Sequence, residues 1–184
     1  GANERIGYAT ATTSLGPILV AATDRGVCMV EFGAGKELAE VLRARFPKAR
    51  IERAEGQLDA WVQRVVGAID SPHVDAALPL DIRGTAFQRR VWHALTRLAP
   101  GETVSYGELA RRLEAPGSTR AVARACATNG IAVLVPCHRV VARDGSLAGY
   151  KWGLARKREL LAREAGQSAP ARVKARGGRK VQPR

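Results

Sequence analysis

The stretch SYGELARRLEAPGSTRAVARACA, residues 105–127, holds two short helical segments parted by a tight turn. Ser105 stands three residues before Glu108, the spacing of a capping box, and opens a helix that reaches Leu113. Ala115-Pro116-Gly117 cannot continue a helix and reads as a turn. Ser118 can cap a second helix running to Ala127, and Asn129-Gly130 just beyond it suits a left-handed stop. Two short helices joined in this way resemble a helix-turn-helix. The second carries Arg120 and Arg124 among Ala121, Ala123, Ala125 and Ala127. Small side chains let a helix backbone lie close to a surface, and arginine can neutralise phosphate or stack on bases. Its exposed start has no Asn or Gln to read adenine edges, so little sequence preference is expected. The same spacing fits two core helices with a solvated charged face equally well.

Working outward, Phe87, Val91, Trp92, Leu95 and Leu98 mark a helix capped by Thr85 and closed by Pro100-Gly101. Residues 131–135 are an apolar run into Pro136. Asp144-Gly145 after Val140-Val141 is a hairpin signal, and a last helix spans about 153–165. Upstream, Tyr8–Thr13, Ile18–Ala22 and Val27–Phe32 are short β runs with turns between them. Lys36–Phe46, stopped by Pro47, and Leu58–Ile69 have helical spacing. The pattern therefore predicts an α/β N-terminal domain over 1–77, a linker over 78–84 and a mostly α domain over 85–166. Residues 167–184 are too poor in apolar side chains to fold and read as a disordered basic tail.

The 184 residues carry a net charge of +13 and a pI near 10.8. Arg172, Lys174, Arg176, Arg179, Lys180 and Arg184 supply six of those charges from the tail, which leaves +7 for the rest. Such a field favours polyanions. Three cysteines, Cys28, Cys126 and Cys137, argue against a disulfide framework and for a reducing compartment. No CxxC occurs and there are three histidines, so no metal or other cofactor is expected. No apolar run approaches the ~20 residues of a membrane span. The chain opens Gly-Ala-Asn-Glu without a Met, as a trimmed chain would.

Pro136-Cys137-His138-Arg139-Val140 carries the chemistry. A free thiol is only a few per cent thiolate at neutral pH and needs a base or cations to become a nucleophile. His138 is adjacent in sequence, which does not by itself put the two side chains in contact; a water could bridge them. Arg139 and the basic surroundings would favour the thiolate. A histidine base needs a third group to orient it, and Glu164 is the candidate. It follows Leu160 and Leu161 on the last helix at spacings of four and three, although a solvated residue at a helix end fits the same pattern. Cys137 could equally be an inert buried thiol, as Cys28 inside a strand pattern is expected to be.

These residues, with their order and spacing, resemble the O6-alkylguanine-DNA alkyltransferase family, and most closely the C-terminal portion of its bacterial Ada-type members. The matching pieces are 78–88 (LPLDIRGTAFQ), 101–110 (GETVSYGELA), 119–122 (TRAV), Asn129, 136–141 (PCHRVV), 149–153 (GYKWG) and 160–164 (LLARE). The similarity covers about residues 8–166, loosely in the first half, and the tail has no counterpart. The resemblance implies a ribonuclease-H-like N-terminal domain and a single-turnover transfer of an alkyl group from O6-alkylguanine, and from O4-alkylthymine, to Cys137. It implies that His138, through water, and Glu164 activate the thiol. Asn129 would brace the turn before the active-site loop, and Tyr106 would assist departure of guanine and crowd the flanking phosphate. Arg120 would enter the base stack, while Cys126, Val140, Tyr150 and Trp152 line the pocket. The partner implied is double-stranded DNA, met from the minor groove by a monomer with its target base flipped out, in the cytoplasm or nucleoid if the source is bacterial. Some relatives carry structural zinc near the N-terminus; here Cys28 has no full ligand set around it. Three other readings share part of the pattern: a non-catalytic lesion binder, a helix-turn-helix regulator and a cysteine hydrolase. The first would lack the acceptor cysteine, and the last would turn over many times.

Overall fold

The computed structural model describes residues 4–72 and 77–166; the proposed tail, 167–184, lies outside them. Strands β1 (Arg5–Thr13), β2 (Gly16–Thr23) and β3 (Gly26–Phe32) form an antiparallel meander, and β4 (Arg50–Arg53) adds parallel to β1, giving the order β3-β2-β1-β4. Because side chains alternate along a strand, each face finds its own helix. Leu19, Ala21 and Met29 pack with Leu38 and Leu42 of α1 (Gly35–Arg45). Ile18, Val20 and Val30 pack with Val62, Val65 and Ile69 of α2 (Asp59–Asp70), in a core that continues into the second half of the chain.

The sequence pattern misses β4. Its four residues, Arg50-Ile51-Glu52-Arg53, hold one apolar side chain, so no run signals it. It is a charged edge strand, of the kind that discourages further pairing, and Glu52 accepts a hydrogen bond from Arg5 on β1 at 2.9 Å.

The outer edge of β3 joins the two halves. The Val27 N–H donates to Pro79 O at 2.9 Å and Asp81 N–H donates to Val27 O at 2.8 Å. Further along, Val30 N–H donates to Gly130 O and Ala132 N–H to Val30 O, both at 2.9 Å. This edge therefore seats the apolar run that leads to Pro136. Gly26 makes the approach possible: its φ is +148°, and a Cβ there would stand 2.4 Å from Pro79 O. Gly26→Ala should cost at least about 2 kcal/mol, combining left-handed strain with a backbone collision; urea unfolding measures it.

In the helical half, α3 (Ala86–Thr96) has a reciprocal box: Gln88 N–H donates to Thr85 Oγ1 at 3.2 Å, and Thr85 N–H to Gln88 Oε1 at 2.9 Å. Trp92 Nε1 donates to Ala125 O at 2.8 Å, fixing α3 on α5. The short β5 (Val104–Ser105) leads into α4 (Tyr106–Arg112), and α5 spans Thr119–Ala127. Three local expectations are corrected here. The Ser105 box is half formed: Ser105 accepts from Glu108 N–H, but Glu108 turns its carboxylate to Arg111 and Arg112. Ser118 makes no side-chain cap; the turn is held by backbone bonds, with Glu114 at φ 56° as its left-handed residue. Neither Asn129 nor Gly130 is left-handed. Thr128 Oγ1 instead donates to Arg124 O at 3.1 Å, and Asn129 is used elsewhere.

The hairpin signal is also corrected. Asp144-Gly145 does form a tight turn, closed by Ala142 N–H to Ser146 O at 3.0 Å, but β6 (Val140–Val141) pairs parallel with β5. A two-residue strand met by a strand from the other side needs no return strand. Helix α6 (Leu154–Glu164) completes the fold. Among the described residues no helix is long and apolar enough to cross a membrane.

Candidate active site

Pro136 ends the apolar run, and Cys137–Arg139 coil into one 3-10 turn whose three side chains are all buried. The run itself is bent at Val133, a β-branched residue at φ 66°, with Leu134 N–H donating to Ala132 O at 2.7 Å. Such a conformation is an outlier for valine and persists where the surroundings hold it.

Asn129 organises the turn. Ile131 N–H donates to Asn129 Oδ1 at 2.9 Å, which fixes the amide's orientation and aims its NH2 group inward. Nδ2 donates to Val135 O at 2.9 Å and to Cys137 Sγ at 3.3 Å. The sulfur therefore has a fixed donor that serves a thiolate better than a thiol. Burial nevertheless pushes the Cys137 pKa up, and the Asn129 hydrogen bond and Lys157 offset it in part. The resting group is a thiol, and it needs a base.

His138, fully buried, is the candidate. Its Nε2 lies 2.7 Å from Glu164 Oε1. Burial lowers the imidazole pKa, so the ring is neutral at neutral pH. An ionised carboxylate can only accept, so Nε2 carries the proton and Nδ1 keeps its lone pair. Nδ1 has no hydrogen-bond partner among the described residues. The free nitrogen is thus the basic one. Glu164 is buried as well. Burial alone would raise its pKa, but hydrogen bonds from His138 and Arg139 outweigh it and hold the pKa at about 2.

Arg139 does not serve the thiol directly, contrary to the reading of its charge in the sequence. Its Nε donates to both Glu164 oxygens, at 3.1 and 3.0 Å, its Nη2 to Oε1 at 2.8 Å, and its Nη1 to Leu98 O. It acts one step back, keeping Glu164 ionised so that an imidazolium beside it would be stabilised. Gly101 N–H adds a bond to Glu164 Oε2 at 3.3 Å.

Cys126, Val140 and Trp152 share one hydrophobic core with Cys137, and Tyr106 and Tyr150 pack against it. Cys126 is buried and burial pushes its pKa to about 12, a value Cys28 shares. Val140 is fully buried. Tyr150 meets His138 edge-on at 6.5 Å and Trp152 at 5.2 Å, and its hydroxyl has no partner among the described residues. Tyr106 donates to Ala148 O at 3.3 Å, and burial lifts its pKa to about 12, so the hydroxyl keeps its proton. Arg120 and Arg124 stand apart on the exposed face of α5, whose other face buries Val122, Ala125 and Cys126. Among the described residues neither arginine has a side-chain hydrogen bond or ion pair, whereas Arg111 and Arg112 on α4 are held by Glu102 and Glu108.

Sequence reasoning missed Lys157. It is fully buried, and its Nζ spends all three donors on Val140 O (2.6 Å), Ala148 O (2.7 Å) and Gly149 O (3.1 Å). It ties the strand after Cys137 to the loop that carries Tyr150. The signal was present: Lys157, Leu160 and Glu164 follow one another at helical spacings of three and four.

Comparison with known proteins bears on this geometry. The DNA binding domain of the 6-O-methylguanine DNA methyltransferase family matches residues 86–166, and the family's ribonuclease-like domain matches residues 6–70. The regulatory protein Ada of Salmonella typhimurium is 48% identical over 167 residues, which are 90% of this chain and 47% of Ada. The chain thus spans about half the length of that relative. A methylated-DNA--protein-cysteine methyltransferase of Methanosarcina acetivorans is 38% identical over 155 residues, 84% of this chain and 95% of that protein. The crystal structure of Mycobacterium tuberculosis OGT in complex with DNA superposes with a TM-score of 0.71 at 33% identity, covering 88% of this chain and 94% of that one. With a buried cysteine, an anchored histidine and matches along both halves, the chain belongs to the O6-methylguanine DNA methyltransferase family.

Proposed function

We propose that this chain repairs alkylated DNA by accepting the alkyl group of O6-alkylguanine, and of O4-alkylthymine, on Cys137, once per molecule. One observation carries the reading: His138 has its Nε2 anchored on Glu164 and its Nδ1 unpartnered, in the same turn as a buried thiol already held by Asn129. The thiol proton passes through one water to Nδ1, and the resulting imidazolium faces a carboxylate that Arg139 keeps ionised. The sulfur then attacks the alkyl carbon in line. The carbon–O6 bond breaks, its electron pair returns to the purine, and Tyr106, protonated at neutral pH, donates a hydrogen bond to the leaving guanine. The imidazolium gives its proton up, through water, to the departing guanine, which leaves His138 neutral and a thioether on Cys137. That thioether has no easy leaving group, so nothing regenerates the thiol.

The target atom lies inside a duplex, so the nucleotide is flipped into the pocket formed by Cys126, Val140, Tyr150 and Trp152. We read the chain as two domains, 1–77 and 85–166, with α4 and α5 acting as a helix-turn-helix that meets the minor groove as a monomer and with little sequence preference. The small residues of α5 support that docking, as do Arg120 and Arg124, whose side chains have no hydrogen bond or ion pair among the described residues.

Incubation with excess O6-methylguanine DNA tests the activity. The intact mass should rise by one methyl, on Cys137, and product should plateau at one equivalent of protein. Continued turnover would point to a hydrolase and overturn the proposal.

A further inference from the structure

Glu31 is a buried acid on β3, 4% exposed, and it belongs to none of the steps above. A buried carboxylate needs partners. Both of its partners come from about 120 residues further along the chain. Lys151 Nζ donates to Oε1 at 2.5 Å, and Trp152 Nε1 donates to Oε2 at 2.5 Å. Lys151 Nζ also donates to Asn129 O at 3.3 Å, touching the residue that holds the Cys137 sulfur.

These bonds fix an aromatic wall. Trp152 is buried, edge-on to Phe32 at 6.4 Å and to Tyr150 at 5.2 Å, and the Lys151 ammonium lies 5.1 Å from its ring centre. Tyr150 in turn stands edge-on to His138. An indole free to turn about its χ angles could swing aside for a larger group; an indole whose N–H is bonded to a buried, ion-paired carboxylate on a core strand cannot. The same strand receives Gly130 and Ala132 through its backbone, so the wall and the thiol segment share one rigid support.

We propose that Glu31 is a specificity-determining positioning residue: through Trp152 Nε1 and Lys151 Nζ it holds the pocket wall in place and restricts transfer to small alkyl groups. The inference rests on the alkyl-transfer reading of Cys137 and assigns the first half of the chain a part in substrate choice.

The test uses the full chain with the free bases O6-methylguanine and O6-benzylguanine, which need no DNA, and reads the rate of label arriving on Cys137. The unaltered protein should prefer methyl. Glu31→Ala and Glu31→Gln should raise the benzyl-to-methyl rate ratio by about tenfold or more, the scale on which a pocket discriminates by size. Gln keeps one carbonyl oxygen and cannot serve both donors, so its rise should be the smaller. Trp152→Phe keeps a ring but loses the N–H, and should shift the ratio in the same direction even if the alanine variant fails to fold. In a Trp152→Ala background Glu31→Gln should add nothing, since the two act as one unit. A role in stability alone would slow both substrates together and leave the ratio unchanged; that result overturns the inference while the alkyl-transfer reading stands. A wild type that prefers benzyl overturns it too. No transfer of either group to Cys137 would overturn the alkyl-transfer reading, and this inference with it.

Discussion

Cys137→Ala should abolish alkyl transfer outright while leaving DNA affinity nearly intact. In the proposed transfer the thiol is the one protein group that forms a bond to carbon, so no neighbouring side chain can stand in for it. The other two cysteines are poor substitutes. Cys28 and Cys126 are both raised to about 12 by burial, and neither has a hydrogen bond from an anchored amide or a histidine beside it in the chain. Cys137 is also elevated, but Asn129 offers its sulfur a donor at 3.3 Å and His138 offers a free ring nitrogen one residue away. The distinction between the thiols is thus one of partners and not of burial. Truncation deletes one weak acceptor of the Asn129 amide, whose other bonds, to Val135 O and from Ile131 N–H, persist. The fold should therefore survive at a cost of about 1 kcal/mol, and the exposed face of α5, proposed to meet DNA, is untouched. Single-turnover assays with labelled O6-methylguanine DNA, paired with a binding titration, separate the two effects. Residual transfer in Cys137→Ala, or label found on Cys126, would remove Cys137 from its role.

The sequence made the thiol segment legible because Pro136, Cys137 and His138 are contiguous and Leu160 places Glu164 on a patterned helix. It left Glu164 open between a buried relay and a solvated helix end, and the fold decides for burial because α6 lies against the 3-10 turn at 137–139. What could not be read was direction. Arg139 looked like a cation for the thiolate, yet its guanidinium faces Glu164 and Leu98 O. In this turn Cys137 meets Asn129 while its next two residues both turn to Glu164, and sequence adjacency carries no information about such sidedness. Long-range partners were equally hidden: nothing at position 31 signals a bond to 151 and 152. The sheet was legible where β2 and β3 are buried on both faces and so read as continuous apolar runs. It was illegible at β4, an edge strand made largely of charge.

Arg120→Ala and Arg120→Lys should both slow repair of duplex DNA by on the order of a hundredfold, and both should leave transfer from the free alkylated base nearly unchanged. Arg120 is the second residue of α5, exposed, with no ion pair or hydrogen bond from its side chain among the described residues. Its neighbours on the open face are Ala121, Arg124 and Ala127, so nothing bulky holds the helix away from a groove. From this position a long side chain can extend past the helix start instead of lying along it. The other face of α5 buries Val122, Ala125 and Cys126. A flipped nucleotide leaves a gap in the stack whose cost is a few kcal/mol. A planar guanidinium can fill that gap, stack on the flanking bases and hydrogen-bond to the orphaned cytosine. Two to three kcal/mol of that cost, returned in the flipped state alone, corresponds to about a hundredfold in rate. Lysine brings the charge without the plane, so it cannot replace the stacking. An ordinary phosphate contact behaves differently: Arg120→Lys would then match the unaltered protein, and the defect of Arg120→Ala would vanish at saturating DNA. Free base needs no flipping and so reports on the thiol, its histidine relay and the pocket wall without any step that involves the duplex. Single-turnover rates for both variants on duplex and on free base therefore decide whether Arg120 holds the base out or merely holds the backbone.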